Sequence, residues 1–251
     1  PVNLALVLDK SGSMQGQKLQ HAKQAARDAV SMLGNNDIVS IVTYDTHVQV
    51  LVPATKASDR ANIINAINSI QAGSSTALFA GVSKGAYEVR KFLSPNRVNR
   101  IILLSDGLAN QGPSSPGELG ALGRSLASDG ITVSTIGLGL DYNEDLMTQL
   151  AMNSDGNHMF AETPQDVTEA FARELGDVLS VVAQDVSISF NCAAGIRPVR
   201  VLGREAEISG QRVRLSMNQL YNEQTKFVIL EVEVPSTSVG AEMVVGDAQI
   251  S

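Results

Sequence analysis

Near-continuous apolar runs, separated by amphipathic helical stretches, constrain this chain more than any other feature of its sequence. "LALVL", "RIILLS" and "ITVSTIGL" are apolar almost without a break, as strands are when helices cover both faces of their sheet. The runs predict strands at 2–9, 37–45, 47–53, 98–105, 131–138 and 157–160. "HVQVLV" differs. It alternates and follows "TYDT" after a very short turn, so it reads as the antiparallel edge strand of a hairpin.

The stretches between the strands carry helical periodicity. Leu19, Ala22, Ala26, Ala29, Val30 and Leu33 share one face, with Gly34 as the expected stop. Leu78, Val82, Ala86, Val89 and Leu93 form a second stripe that ends before Pro95. Two later helices carry start signals: Ser115-Pro116-Gly117-Glu118 and Thr163-Pro164-Gln165-Asp166 each place a hydroxyl at the cap, proline in the first turn and an acid three residues on. Strands alternating with helices of this length define an α/β chain with a doubly wound, mainly parallel sheet and one antiparallel edge strand.

Near Gln184 the rhythm changes. No helical stripe persists to Ser251; "VSISF", "VRVLG", "AEIS-GQ-RVRLSM", "KFVILEVEV" and "AEMVVG" are short alternating runs separated by Gly, Asn and Pro. The expected organisation is an α/β domain over 1–183 and a small all-β, sandwich-like unit over 184–251 whose sheet is left incomplete at "AQIS". A chain of 251 residues is long enough for one sizeable core and such a second unit.

Charge and composition narrow the function. A formal net charge of −7 argues against a nucleic-acid partner. One cysteine, Cys192, excludes an intrachain disulfide and any CxxC metal site, and reads as a small core residue. No apolar run is long enough to span a bilayer. The chain opens at Pro1 directly into its first strand, which reads as a mature or excised piece and favours a periplasmic or cell-surface setting.

In a doubly wound sheet, ligands sit beyond the carboxyl ends of the parallel strands. The first strand ends there on Asp9, followed by Ser11, Gly12 and Ser13, and "RIILLSD" ends at the same edge on Asp106. One carboxylate and two hydroxyls from a tight loop that Gly12 lets turn are hard oxygen donors suited to Mg²⁺. A divalent ion needs a second acid, which Asp106 supplies, and Thr76 of "AGSSTAL" adds a hydroxyl from a third loop. Competing readings fail on residues. A calcium EF-hand loop needs Gly where Met14 stands and Glu where Gln20 stands. Neither G-x-x-x-x-G-K-[ST] nor G-x-G-x-x-G is present, and "GSMQG" is not a G-x-S-x-G elbow.

"DKSGSM", "GSSTAL" and "LLSDG", in this order on this framework, resemble the three parts of the metal-ion-dependent adhesion site of von Willebrand factor type A domains. "SDGLANQG", "STIGLGLDYNEDLM" and "SVVAQDVSISF" further resemble bacterial members that continue into a β-rich segment. The resemblance implies a Rossmann-like fold over about 2–182 and a Mg²⁺ (with Mn²⁺ or Ca²⁺ as substitutes) bound by Asp9, Ser11, Ser13, Thr76 and Asp106. It implies a partner protein whose Asp or Glu completes the coordination, and a final helix, about 165–182, that shifts when the site rearranges. Partner contacts are expected from Met14, Leu108, Asn110, Asp141 and Tyr142, on loops at the metal edge.

Three functions compete. The first is a non-enzymatic, metal-dependent protein-binding or adhesion module. The second is an assembly subunit serving an ATPase or metal chelatase, a role the resemblance also allows. A metal-dependent hydrolase ranks last, because it needs a general base and none of the three histidines is well placed: His21 on the first helix, His47 at a hairpin distant from the metal edge and His158 in the final strand.

Overall fold

In the computed structural model, which describes residues 1–251 apart from 110, 204, 223, 224 and 239, six strands form the first sheet. They are β1 (Val2–Asp9), β2 (Ile38–Tyr44), β3 (Val48–Lys56), β4 (Val98–Ser105), β5 (Thr132–Leu138) and β6 (His158–Ala161), in spatial order β3-β2-β1-β4-β5-β6. All neighbouring pairs are parallel except β2 and β3. The apolar runs predict this because β1, β2, β4 and β5 are buried along their whole length. Only β3 alternates, as an edge strand does.

Six helices flank the sheet: α1 (Gln17–Met32), α2 (Arg60–Asn68), α3 (Leu78–Arg90), α4 (Pro116–Ser128), α5 (Glu144–Asn153) and α6 (Pro164–Leu179). Leu78, Val82, Ala86 and Val89 of α3 share a core with Ala5, Val7, Ile101 and Leu103 of the central strands and with apolar residues of α4 and α5. On the other side, α1 packs against α2 and α6. The α4 start is a reciprocal cap: Glu118 N–H donates to Ser115 Oγ (3.3 Å) and Ser115 N–H donates to Glu118 Oε2 (3.1 Å). At the α6 start, Thr163 N–H donates to Asp166 Oδ2.

Two helices that no sequence signal announced, α2 and α5, are present, and two local expectations change. The helix α2 carries only Ile63 and Ile67 as buried apolar residues, too few to announce an amphipathic stripe. The second stripe overruns its helix: α3 stops at Arg90, and Leu93 lies exposed beyond it. The first helix ends at Met32 on an extended Leu33, and Gly34 instead donates its N–H to Asp37 Oδ2. The loop expected at Asp141–Glu144 holds as far as Asn143, which caps Leu146 N–H at the start of α5.

The chain divides into two compact units, Pro1–Ser180 and Val181–Ser251. The second contains no helix among its described residues. Its strands are β7 (Val181–Cys192), β8 (Arg197–Leu202), β9 (Glu207–Ser209), β10 (Arg212–Tyr221), β11 (Ile229–Glu233) and β12 (Gly246–Ile250). They make a four-stranded sheet, β12-β7-β10-β9, and a two-stranded one, β11-β8. Val186, Leu215 and Met217 of the larger sheet, with Val201 of the smaller, form its core. "AEMVVG" is not a strand. The pairing with β7 begins only at Gly246, and Met243, Val244 and Val245 are exposed.

A buried ion pair fastens α6 to the first sheet. Arg100 Nη1 on β4 lies 3.0 Å from Glu174 Oε1 on α6, and both side chains are fully buried. Ser134 Oγ of β5 donates to the same Glu174 oxygen, and Asn157 Nδ2 donates to the other (2.9 Å). Moving α6 along its axis would strand both charges in a low-dielectric interior. Removing one partner of such a pair costs about 3–5 kcal/mol, because the other charge stays buried without compensation. Arg100→Met is therefore expected to lower the urea unfolding free energy by about that much, and Arg100→Met with Glu174→Leu to recover most of it. A single-variant loss below about 1 kcal/mol would show that the pair does not anchor the helix.

Candidate metal centre

β1 is the topological switch point of the sheet: the chain winds from it to β2 on one side and later to β4 on the other. A crevice opens where neighbouring connections leave in opposite directions. Asp9 ends β1 there, in register with Tyr44, and Ser105 ends β4 with Asp106 following it.

After Asp9 the chain makes a single 3-10 turn, Gly12–Met14, and enters α1 through Gly16. The turn into the helix is made at Gly16, with φ +85°, a region open to glycine and costly for other residues. Gly12, expected to supply the reversal, has no positive φ, and its N–H instead donates to Ser74 O (2.8 Å). That bond joins the first loop to the one bearing Thr76. A second joins them through Gly73 N–H to Lys10 O (2.6 Å). A Cβ at Gly73 would fall 1.8 Å from Asp45 Oδ2, so only glycine lets the Thr76 loop close against the β2–β3 turn.

The five expected ligands converge. Ser11 Oγ and Ser13 Oγ are 3.1 Å apart, and Ser13 Oγ donates to Asp106 Oδ1 (2.7 Å). A Cβ at Gly107 would lie 3.5 Å from Ser13 Oγ and 3.7 Å from Thr76 Oγ1, so these two hydroxyls flank the same backbone point. Asp9 accepts Ser11 N–H at Oδ1 and Ser105 Oγ at Oδ2, both at 2.8 Å. Asp9, Ser11, Thr76 and Asp106 are buried, while Ser13 is exposed at the mouth. Among the described residues no group of three or more His, Cys, Asp or Glu could hold a metal. The donor set here is two carboxylates and three hydroxyls, all hard oxygens, a set that fits a hard divalent cation such as Mg²⁺ or Mn²⁺.

Electrostatics follow from burial. Desolvation pushes the Asp9 carboxyl up to about 6, against hydrogen bonds from Ser11 and Ser105 that favour its charged form, and the Asp106 charge adds to the rise. Asp106 is matched by Lys18, whose Nζ lies 2.6 Å from Oδ2. Lys10 likewise meets Asp45 at 2.5 Å. Partial burial raises the Asp45 carboxyl, but hydrogen bonds from Lys10 and the His47 N–H together with the Lys10 charge outweigh it, and it lies below its usual range.

The expected partner contacts divide. Leu108 and Asp141 are exposed. Met14 is fully buried, anchoring the 3-10 turn to the core and unavailable to a partner. Tyr142 is buried too: its ring packs beside His158 and Phe160, and its hydroxyl lies 3.1 Å from His158 Nε2. Asn110 lies outside the described residues. His47 also needs correction. The β2–β3 turn follows Tyr44, the register partner of Asp9, so His47 sits at the same edge of the sheet as the site. His158 is held by Thr135 Oγ1 (2.8 Å) and Tyr142, and burial keeps its imidazole below the usual range despite the opposing charge of Glu144. Sequence reasoning missed Ser105, Lys18, Asp45 and Gly73. Ser105 was legible beside Asp106 in "LLSDG"; the others act through contacts that no local spacing announces.

A six-stranded, mainly parallel sheet with a hydroxyl- and carboxylate-lined crevice at its switch point defines a Rossmann-like domain. The profile of the von Willebrand factor type A domain matches residues 3–173, and the chain belongs to that family. It is 26% identical over its whole length to an uncharacterized protein, sll0103, of Synechocystis sp., covering 61% of that protein. It is 31% identical over 207 residues to YfbK of Escherichia coli, covering 81% of this chain and 36% of YfbK. The chain thus spans under two thirds of the curated relatives it matches. The solved structure of a von Willebrand factor type A protein from Catenulispora acidiphila superposes over 99% of this chain and 62% of its own, with a TM-score of 0.85 at 20% identity. The mussel byssus proximal thread matrix protein 1, solved with a zinc-occupied MIDAS motif, covers 69% of this chain and 44% of its own at a TM-score of 0.56 and 19% identity.

The raised Asp9 carboxyl has a measurable sign. The folded state binds this proton more tightly than the unfolded chain, so its contribution to stability is complete below about pH 4 and is lost as pH rises through about 6. In chelating buffer, Asp9→Asn is expected to gain on the wild type by about 3 kcal/mol between pH 4 and pH 8 in urea titrations. Parallel stability curves for the two proteins would contradict this.

Proposed function

We propose that this chain is a protein-binding module gated by a divalent cation, in which Mg²⁺ is held by Asp9, Ser11, Ser13, Thr76 and Asp106 and captures an Asp or Glu of a partner protein. The observation that carries the reading is the convergence of two carboxylates and three hydroxyls, from three separate loops, at the switch point of the sheet. When bound, the ion supplies a strong electrostatic acceptor for an external carboxylate.

The chain's own residues set that up. Ser13 donates its proton to Asp106 and accepts from Ser11 Oγ, which leaves it one lone pair for an ion. Ser105 and the Ser11 N–H hold the Asp9 carboxylate in one orientation from outside the donor set, as outer partners do in metal sites. The exposed Leu108 and Asp141 lie on loops of the same sheet edge, where a partner would make its remaining contacts. Von Willebrand factor A domains commonly mediate protein–protein interaction, which supports the binding role. Among the described residues no helix is long and apolar enough to cross a membrane.

Titration with Mn²⁺ is expected to find one strong site, and crystals soaked in Mn²⁺ to show anomalous density between these five side chains. Asp9→Ala is expected to weaken Mn²⁺ about a hundredfold or more, above what losing an outer-shell partner costs, while the unfolding midpoint in chelator stays at or above that of the wild type. Density only at another cluster, or an Asp9→Ala protein that does not fold, would overturn the assignment.

A further inference from the structure

Lys18 is a cation that touches an expected ligand of the site, and it lies where a lysine is out of place. It is the second residue of α1, whose N-terminus carries the positive end of the helix dipole, so a cation there is disfavoured unless something offsets it. The offset is Asp106. Its carboxylate is fully buried and takes Ser13 Oγ on one oxygen and Lys18 Nζ on the other, at 2.7 and 2.6 Å. The ammonium also lies near Gly139, which follows β5: a Cβ built there would come 3.9 Å from it. Lys18 is about a third exposed, while the carboxylate it meets is out of reach of solvent.

We propose that Lys18 is a built-in counter-charge that weakens the site's hold on its metal and strengthens the metal's hold on an external carboxylate. This rests on the metal-binding reading above. The argument is electrostatic. With both carboxylates ionised, the site carries a formal charge of minus one with Lys18 and minus two without it. A bound divalent ion turns these into plus one and zero. The first still attracts a carboxylate from outside, and the second no longer does so by net charge. In a part-buried setting, opposite charges at a few ångströms interact strongly even after screening, so one charge more or less is enough to move both equilibria. Lys18 therefore sets them in opposite directions, which a merely structural ion pair would not do.

The test compares wild type, Lys18→Met and Lys18→Arg by two readouts at low salt. The first is Mn²⁺ affinity, from the free-ion signal in electron paramagnetic resonance. The second is acetate binding to the Mn²⁺-loaded protein, from the fall in water-proton relaxivity as acetate displaces bound water. Lys18→Met is expected to bind Mn²⁺ about tenfold tighter and to need about tenfold more acetate, while Lys18→Arg, which keeps the charge, stays within about twofold of wild type in both. Weaker or unchanged Mn²⁺ binding in Lys18→Met, or an acetate midpoint that does not rise, would overturn the proposal and leave the metal site standing. If neither wild type nor Lys18→Met binds Mn²⁺, the metal-binding reading falls, and this inference falls with it.

Discussion

Two carboxylates of like charge, buried at neighbouring strand ends, are the constraint to which the rest of the catalogue of contacts answers. Asp9 and Asp106 lie on either side of the switch point with almost no solvent to screen them. Leaving such groups unsatisfied costs several kcal/mol each, so the surrounding loops are organised as hydrogen-bond donors. Ser11 N–H and Ser105 Oγ serve Asp9, and Ser13 Oγ and Lys18 serve Asp106. These donors do not cancel the cost of burial, and desolvation, with a smaller push from the Asp106 charge, keeps the Asp9 carboxyl raised. A crevice that carries this cost is the basis of the proposed cation site, since a hard cation matches the chemistry of the donors.

The framework around that crevice is rigid where it needs to be. Four wholly buried strands hold the two acids, and the loops bearing Ser13 and Thr76 are tied to each other by backbone hydrogen bonds through Gly12 and Gly73. The helix expected from the resemblance to shift is α6, and here its Glu174 is locked into a buried network with Arg100, Ser134 and Asn157. Sliding one helix past another is a recognised switching motion. In this chain any such motion must first break an ion pair that has no water to retreat to.

Much of this was legible in the residues. Strand identity was readable because burial on both faces forces continuous apolar runs, and the hairpin edge because its one exposed face restores alternation. The candidate loop was readable because hydroxyl and carboxylate spacing over five residues is local. Legibility failed where a role depended on burial or on distant partners. Met14 and Tyr142 look like contact residues beside a functional loop, yet both turn inward, since each loop needs an apolar anchor to hold its shape. His47 looked remote because the direction of a hairpin relative to a site follows from strand order, which the local pattern does not contain.

The local pattern alone therefore determined the class of fold, the caps of α4 and α6 and the identity of the oxygen donors, because periodicity, capping and side-chain chemistry act over a few residues. Strand order, and with it the switch point at β1, belongs to the tertiary structure, as do the pairing of Lys18 with Asp106 and of Arg100 with Glu174. Those contacts join residues more than seventy positions apart. Coulomb forces and burial act through space, and only the folded chain says which charges share it.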